Sequence, residues 1–218
     1  MNKKFAIILI LFMIVTFVSS FPTTFEKRQT GNQISSNSKF TYYWVEFESD
    51  YKSTKTVNIL TCDGVKITTV NLDFANAMKI EGTGVTKDGR VLNLGDCDCS
   101  SSSYDCFEEL NKTKFPFGST ANDTPLVPFI TVAANDIRKG TLLYIPKLDG
   151  IILPNSKVHN GCVKVDDKGF EFGKKHIDWF VAKKSNYDTL TKKNTFTSVS
   201  VFNGTSPNGQ KCSLLNYT

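Results

Sequence analysis

The sequence predicts an all-β protein: many short strands in a closed or folded-over sheet, with peripheral loops. Three observations carry this. Aromatic content leans toward strand formers, with 17 Phe and 7 Tyr against 2 Trp. Short β-branched and aromatic runs recur between Gly, Pro and Asp-Gly or Asn-Gly punctuation. No stretch sustains a 3.6-residue apolar period over a dozen residues. The 218 residues suffice for one domain with a real core. A mean hydropathy of −0.20 with 22% charged residues excludes a polytopic membrane protein and a disordered polyelectrolyte. Two histidines exclude any site that needs three.

The elements follow in order. Two lysines in residues 1–4 precede an apolar run over 5–18, then Ser19 and Ser20. The run is shorter than the roughly 20 residues of a membrane span. Residues 1–20 therefore read as a secretory signal peptide, with a short anchor as the alternative. Residues 21–38 form a candidate propeptide and flexible lead-in, since Lys27–Arg28 resembles a kexin-type processing site. A domain is expected over 39–182. Its candidate strands are 39–47, 56–60, 65–70, 79–85, 90–94, 129–133, 141–145, 147–153, 162–165 and 176–181. Asp63–Gly64 marks a hairpin, and 73–78 has room for one or two helical turns. Residues 95–105 form a Ser/Cys/Asp loop. Residues 183–218 read as a polar tail packed outside the domain.

Loss of residues 1–28 leaves 22 basic against 20 acidic residues, a charge of +2 that gives no footprint for nucleic acid. Six cysteines follow the leader: Cys62, Cys97, Cys99, Cys106, Cys162 and Cys212. An even count on a secretory route predicts disulfides at all six, with 15 pairings open. Zinc is the alternative for the Cys97–Cys99–Cys106 cluster, but a one-residue spacing is unlike the usual ligand pairs. Sequons at Asn111, Asn122, Asn203 and Asn216 predict a glycoprotein. No cofactor is expected. There is no phosphate-binding P-loop, Gly82-x-Gly84 lacks the third glycine of a dinucleotide fingerprint, and no G-x-S-x-G elbow occurs.

Three aspartates stand out in the second half. Asp136 lies in Val132-Ala-Ala-Asn-Asp136-Ile-Arg-Lys-Gly140-Thr-Leu-Leu-Tyr-Ile145. Asp167 lies in Cys162-Val-Lys-Val-Asp-Asp167-Lys-Gly169. Asp178 follows in His176-Ile-Asp178-Trp179-Phe180. These strings, with the last two aspartates 11 positions apart, resemble the three-aspartate domain that forms the C-terminal part of membrane-bound lytic murein transglycosylase A. The resemblance is close over 129–181 and looser back to about residue 40. His176-Ile-Asp178 is also similar to the His-Phe-Asp signature of expansins, and Thr83-Gly84 to a Thr-Gly element of small proteins in this group. The pattern departs at Asp167-Lys-Gly169-Phe-Glu-Phe-Gly173, where one glycine is shifted and Phe170 replaces another. The resemblance implies a six-stranded double-psi β-barrel. It also implies a glycan-cleaving function in which the last aspartate protonates the leaving oxygen and then helps the sugar's own C6 hydroxyl close a 1,6-anhydro ring. The bacterial enzyme has a second domain walling its glycan groove, for which no room is expected here.

The residues point the same way. An aspartate inside an apolar strand is desolvated, which raises its pKa, and a nearby second carboxylate raises it further. Asp178 flanked by Ile177, Trp179 and Phe180 is then suited to general acid work. Asp167 is its expected neighbour, unless it only shapes the turn before Gly169. Asp136 is most cheaply a turn or cap residue. A hydrolase would need another carboxylate to activate water, for which Glu81 and Asp96 are the candidates. Asp166, alternating with Val165, is expected to face solvent, and His159 to serve a turn. His176, Trp179 and Thr83 are the expected substrate contacts, and Tyr42, Tyr43, Trp44 and Trp179 are aromatics able to stack on sugars or fill the core. The competing reading is an expansin-like module that binds or loosens polysaccharide without cutting it. Either way the expected partner is cell-wall polysaccharide outside the cell. The expected form is a monomer, with no metal and no membrane contact after leader cleavage.

Overall fold

The structure is a computed structural model that describes residues 31–97, 99, 106–170 and 173–218. The expected leader and the dibasic pair lie outside the described residues. The described residues form eleven strands: β1 Gln33–Phe47, β2 Thr56–Leu60, β3 Lys66–Asn71, β4 Thr83–Val85, β5 Val91–Leu94, β6 Phe107–Leu110, β7 Thr131–Ala133, β8 Leu142–Ile152, β9 Val158–Asp167, β10 His176–Lys183 and β11 Ser198–Asn203. Among them lie two α-helices, α1 Leu72–Glu81 and α2 Lys184–Lys193.

Six strands close into a barrel in the order β10-β7-β9-β8-β11-β1, with β1 pairing back onto β10. The pairs β1–β10 and β7–β9 are parallel, and the other four are antiparallel. Period-2 alternation sends Phe40, Val132, Leu143, Ile145, Val163, Val165, Ile177, Trp179, Val199 and Val201 into one core. The six-stranded barrel predicted from the sequence is therefore present.

The barrel does not end at residue 182. β11, from the segment read as a tail, sits between β1 and β8, with Lys39 opposite Ser198 and Asn203 opposite Leu143. Its signal is short: Val199 and Val201 alternate with serines, and both are buried. The lead-in is likewise strand from Gln33, because it pairs with β11. α2 buries a single apolar residue, Leu190, so its sequence shows almost no apolar stripe.

Between β1 and β7 the chain leaves the barrel and builds a second unit. It holds the β2–β3 hairpin, turned at Gly64 with φ +75°, then α1 and the β4–β5–β6 meander. Its core is separate: Ile59, Val70, Phe74, Ala75, Met78, Leu92 and Phe107. Asn71 caps α1 by accepting from the amides of Asp73 and Phe74, and Gly82 ends it with φ +79°. A third cluster of Val45, Leu126, Phe180 and Ala182, with Tyr43 and Phe117 against it, fixes this unit to the barrel's outer face. The expectation of no room for a second unit is corrected: about 80 residues inserted after β1 form one around its own core.

Disulfides join Cys62 to Cys97 and Cys99 to Cys106, so the clustered cysteines pair with sulfur. Cys162 is buried in β9, and the Cys212 thiol lies 3.7 Å from the Leu143 carbonyl.

Candidate functional site

Side chains alternate across each barrel strand, so Ile177 and Trp179 point inward while His176, Asp178 and Phe180 point outward. Register then aligns one outer row across four strands. Thr41 on β1 lies opposite Asp178 on β10, Asp178 opposite Ala133 on β7, and Ala133 opposite Asp167 on β9. Two strand spacings separate the aspartate backbones, about 10 Å, and only a methyl group stands between. A bulge makes this row. Val132 faces Val165, but Ala133 faces Asp167, so regular pairing would have placed Asp166 there instead. Asp166 is excluded from the row and buried rather than solvent-facing, with one oxygen 3.1 Å from the Lys164 ammonium.

The two carboxylates are supported differently. Asp178 Oδ1 accepts one bond, from Thr41 Oγ1 at 2.7 Å. That hydroxyl also lies 2.7 Å from His176 Nε2. Since its single proton goes to the carboxylate, His176 donates through Nε2–H. Burial and the charge of Lys39 hold the His176 pKa below its usual value, which keeps the ring neutral. Asp167 accepts three bonds, from Tyr43 Oη at 2.9 Å and from the amides of Ala121 at 2.8 Å and Lys168 at 2.9 Å. Burial raises its pKa, and those three donors oppose the rise. Burial also raises Asp178, the Thr41 bond and Lys39 pull it down, the charge of Asp167 adds to the rise, and the result is about 6. Asp178 thus takes up a proton at about pH 6, well above an ordinary aspartate.

The inserted unit closes the other side. Glu81, the last residue of α1, accepts from the Trp44 amide at 3.3 Å, where β1 bulges away from β10 between Tyr43 and Val45. Burial, with Glu46 and Asp178 nearby, pushes Glu81 up to about 7. Glu46 accepts from Trp44 Nε1 at 2.7 Å and Tyr51 Oη at 2.6 Å. Asp96 is exposed beside Cys97, on the loop after β5.

The other sequence candidates divide. His176 joins the row through Thr41. Asp136 is exposed and accepts from the Lys175 amide at 2.8 Å. With the reciprocal Asn135–Gly169 bonds it ties the loop after β7 to the loop before β10, a positioning role as a turn aspartate. Trp179 is 0% exposed inside the barrel, packed on Phe40, Tyr42, Phe129 and His159, and offers no face to a sugar. Thr83 is buried, donating to Asn93 Oδ1 at 2.7 Å. His159 is buried too, its ring stacked on Tyr217 and its Nε2 2.9 Å from the Phe129 carbonyl. Sequence reasoning passed over Thr41, and it took Tyr43 only as an aromatic that might meet a sugar. The one signal for both was the alternation Lys39, Thr41, Tyr43 on a single strand face.

No family model matches the sequence, and no curated protein does. Solved structures do. The crystal structure of Escherichia coli MltA with bound chitohexaose superposes with a TM-score of 0.52 at 14% identity, over 77% of this chain and 71% of that one. Another Escherichia coli MltA crystal structure gives 0.46 at 14%, over 79% and 73%. The lytic transglycosylase LtgG of Burkholderia pseudomallei gives 0.44 at 12%, over 78% and 73%. At such identity the first of these establishes the fold: this chain contains an MltA-like barrel domain.

Proposed function

Starting from an MltA-like barrel with a proton-holding aspartate on its outer face, we propose that this chain cleaves glycosidic bonds in cell-wall polysaccharide, in the manner of a lytic transglycosylase. One observation carries the reading. Asp178 is half-buried, bonded through one oxygen to Thr41, and titrates at about 6. A carboxyl so placed delivers a proton to the glycosidic oxygen as the bond to C1 breaks. The resulting carboxylate takes the proton of the substrate's C6 hydroxyl as that oxygen closes on C1. Asp167 acts through charge, since a second buried anion keeps the proton on Asp178 until the leaving oxygen takes it. Thr41, held by His176, orients the carboxyl. The substrate supplies its own nucleophile, so a single carboxyl serves both steps.

Secretion by the leader, a monomeric state and glycosylation belong to the same proposal; of the sequons, Asn111 and Asn216 are exposed. A second reading is favoured by Glu81. A carboxyl at about 7 near Asp178 suits the water-activating base of a hydrolase above neutral pH. The test is mass spectrometry of products from peptidoglycan, chitin, β-glucan and cellulose. Anhydro-ended fragments support the transglycosylase and free reducing ends the hydrolase. Pull-down with no product replaces both by the expansin-like module.

A further inference from the structure

We infer that the aromatic groove between β1 and α2 is a second glycan subsite, reached by an oligosaccharide that crosses the open edge of β1 from the Asp178 row. The inference rests on the glycan reading above. The groove encloses about 400 Å³. Its walls are the half-buried rings of Tyr42 and Trp44 from β1, Tyr187 from α2, and Phe196 beyond it. Trp44 and Tyr187 lie 4.9 Å apart at 33°, and Tyr42 meets Tyr187 edge-on at 5.6 Å, so the three rings pack into one contiguous cluster. Trp44 is held in place before any ligand arrives, because Glu46 accepts from its Nε1. Phe40, Thr41, Thr191, Asn194, Thr195 and Thr197 complete the lining, whose residues are all uncharged, and Lys147 Nζ lies over the Phe196 ring at 5.4 Å. Aromatic faces beside neutral hydroxyl and amide groups suit a neutral polyol with apolar C–H faces, and suit neither an ionic peptide nor a lipid chain.

The route to this groove is a gap in the sheet. β11 stops pairing at Lys39, where the next amide, Phe40, donates to the Thr197 carbonyl, and β4 begins only at Glu46. Across that gap no strand among the described residues pairs with β1 opposite β10; the Thr197 carbonyl takes the Phe40 amide at one end and the Glu81 carboxylate the Trp44 amide at the other, which leaves the Tyr42 peptide between them. Peptide groups alternate along a strand, so the Tyr42 peptide points to the same open edge as those of Phe40 and Trp44. Thr41 belongs to both places: it borders the groove and holds Asp178. A sugar chain bound at Asp178 therefore has a polar peptide edge to cross and an aromatic floor beyond it.

The chain's two tryptophans give the readout. Trp179 is sealed in the barrel, so ligand-dependent fluorescence and acrylamide protection report Trp44. The full chain carrying Asp178→Asn, which removes turnover, is titrated with chitohexaose and with cellohexaose. A saturable Trp44 response to at least one is expected. Tyr187→Ala is expected to weaken it roughly three- to tenfold, with the thermal melt retained, and Tyr187→Phe to restore it. Thr195→Arg at the exposed rim is expected to weaken it without touching the core. No saturable response to either hexaose, or unchanged affinity in folded Tyr187→Ala and Thr195→Arg, overturns the subsite. The two readings separate cleanly. Cleavage by the parent without a Trp44 response removes the groove and leaves Asp178. A Trp44 response with no product from the parent leaves the groove and removes the enzyme.

Discussion

Asp178 carries one hydrogen-bond donor and Asp167 three, so burial raises both carboxyls and is opposed by more donors at Asp167 than at Asp178. Asp178→Asn keeps the shape and removes the proton, so initial rates of glycan cleavage are expected to fall by roughly 10²–10⁴ while the thermal melt persists. Thr41→Val removes the donor that favours the charged form. The Asp178 pKa then rises, and the alkaline limb of the pH–rate profile moves to higher pH. A profile unmoved by this change would show that Thr41 does not act through Asp178. Glu81 and Asp178 also bear on stability. Both fold with raised pKa values, about 7 and about 6, so the folded state binds their protons more tightly than the unfolded chain does. Their contribution is most favourable below about pH 4 and is lost as pH rises through 6 to 7. Glu81→Gln is accordingly expected to flatten the decline of stability between pH 5 and 8. The gain at pH 8 is on the order of 3 kcal/mol at most, read from denaturant melts at each pH.

At the scale of elements, β4 and α1 meet so closely that one position admits no side chain. A Cβ on Gly84 would lie 2.5 Å from Met78 Sδ and 2.6 Å from Phe74 Cζ, both side chains of α1. Both are fully buried, so neither can swing into solvent. Gly84→Ala is expected to cost about 1–3 kcal/mol by overpacking, measured by urea denaturation. An unchanged midpoint would mean that α1 shifts freely on the meander. The consequence reaches the site, because α1 presents Glu81 at the bulge of β1. Sequence reading found the β2–β3 hairpin from Asp63–Gly64, since only a short list of residues accepts that turn. It did not find α2, whose single buried leucine leaves almost no period to detect.

Two cores hold the molecule, one in the barrel and one in the inserted unit, and the site is assembled where the third cluster joins them. The inserted unit contributes Glu81 and the Ala121 amide that donates to Asp167. Its smaller core is tied by Cys62–Cys97, which closes 35 residues of chain. In chain-entropy terms such a link is worth about 4 kcal/mol. Reduction is therefore expected to raise hydrogen exchange over residues 56–110 first, with 131–181 still protected. Uniform loss of protection would show that the two cores unfold as one.

Much of the barrel was legible in the sequence: its strand-rich second half, the three aspartates and their spacing, and the desolvation of Asp178 by apolar neighbours. Local chemistry determines such features, because alternation, turn residues and side-chain polarity act within a few positions. Three matters were decided only by tertiary structure. β9 and β10 are buried almost throughout, since the barrel core covers one face and the inserted unit, with the C-terminal segment at Ser213 and Tyr217, the other. Alternation alone then cannot say which face is interior, and Trp179 turned inward while Asp178 turned out. The choice of Asp167 over Asp166 as the row's second carboxylate depends on a bulge one residue long, set by how β7 pairs with β9. The sixth barrel strand came from a segment whose polar composition hid it. Residues 198–203 are a strand because β1 and β8 leave a gap that only another strand's peptide groups can fill.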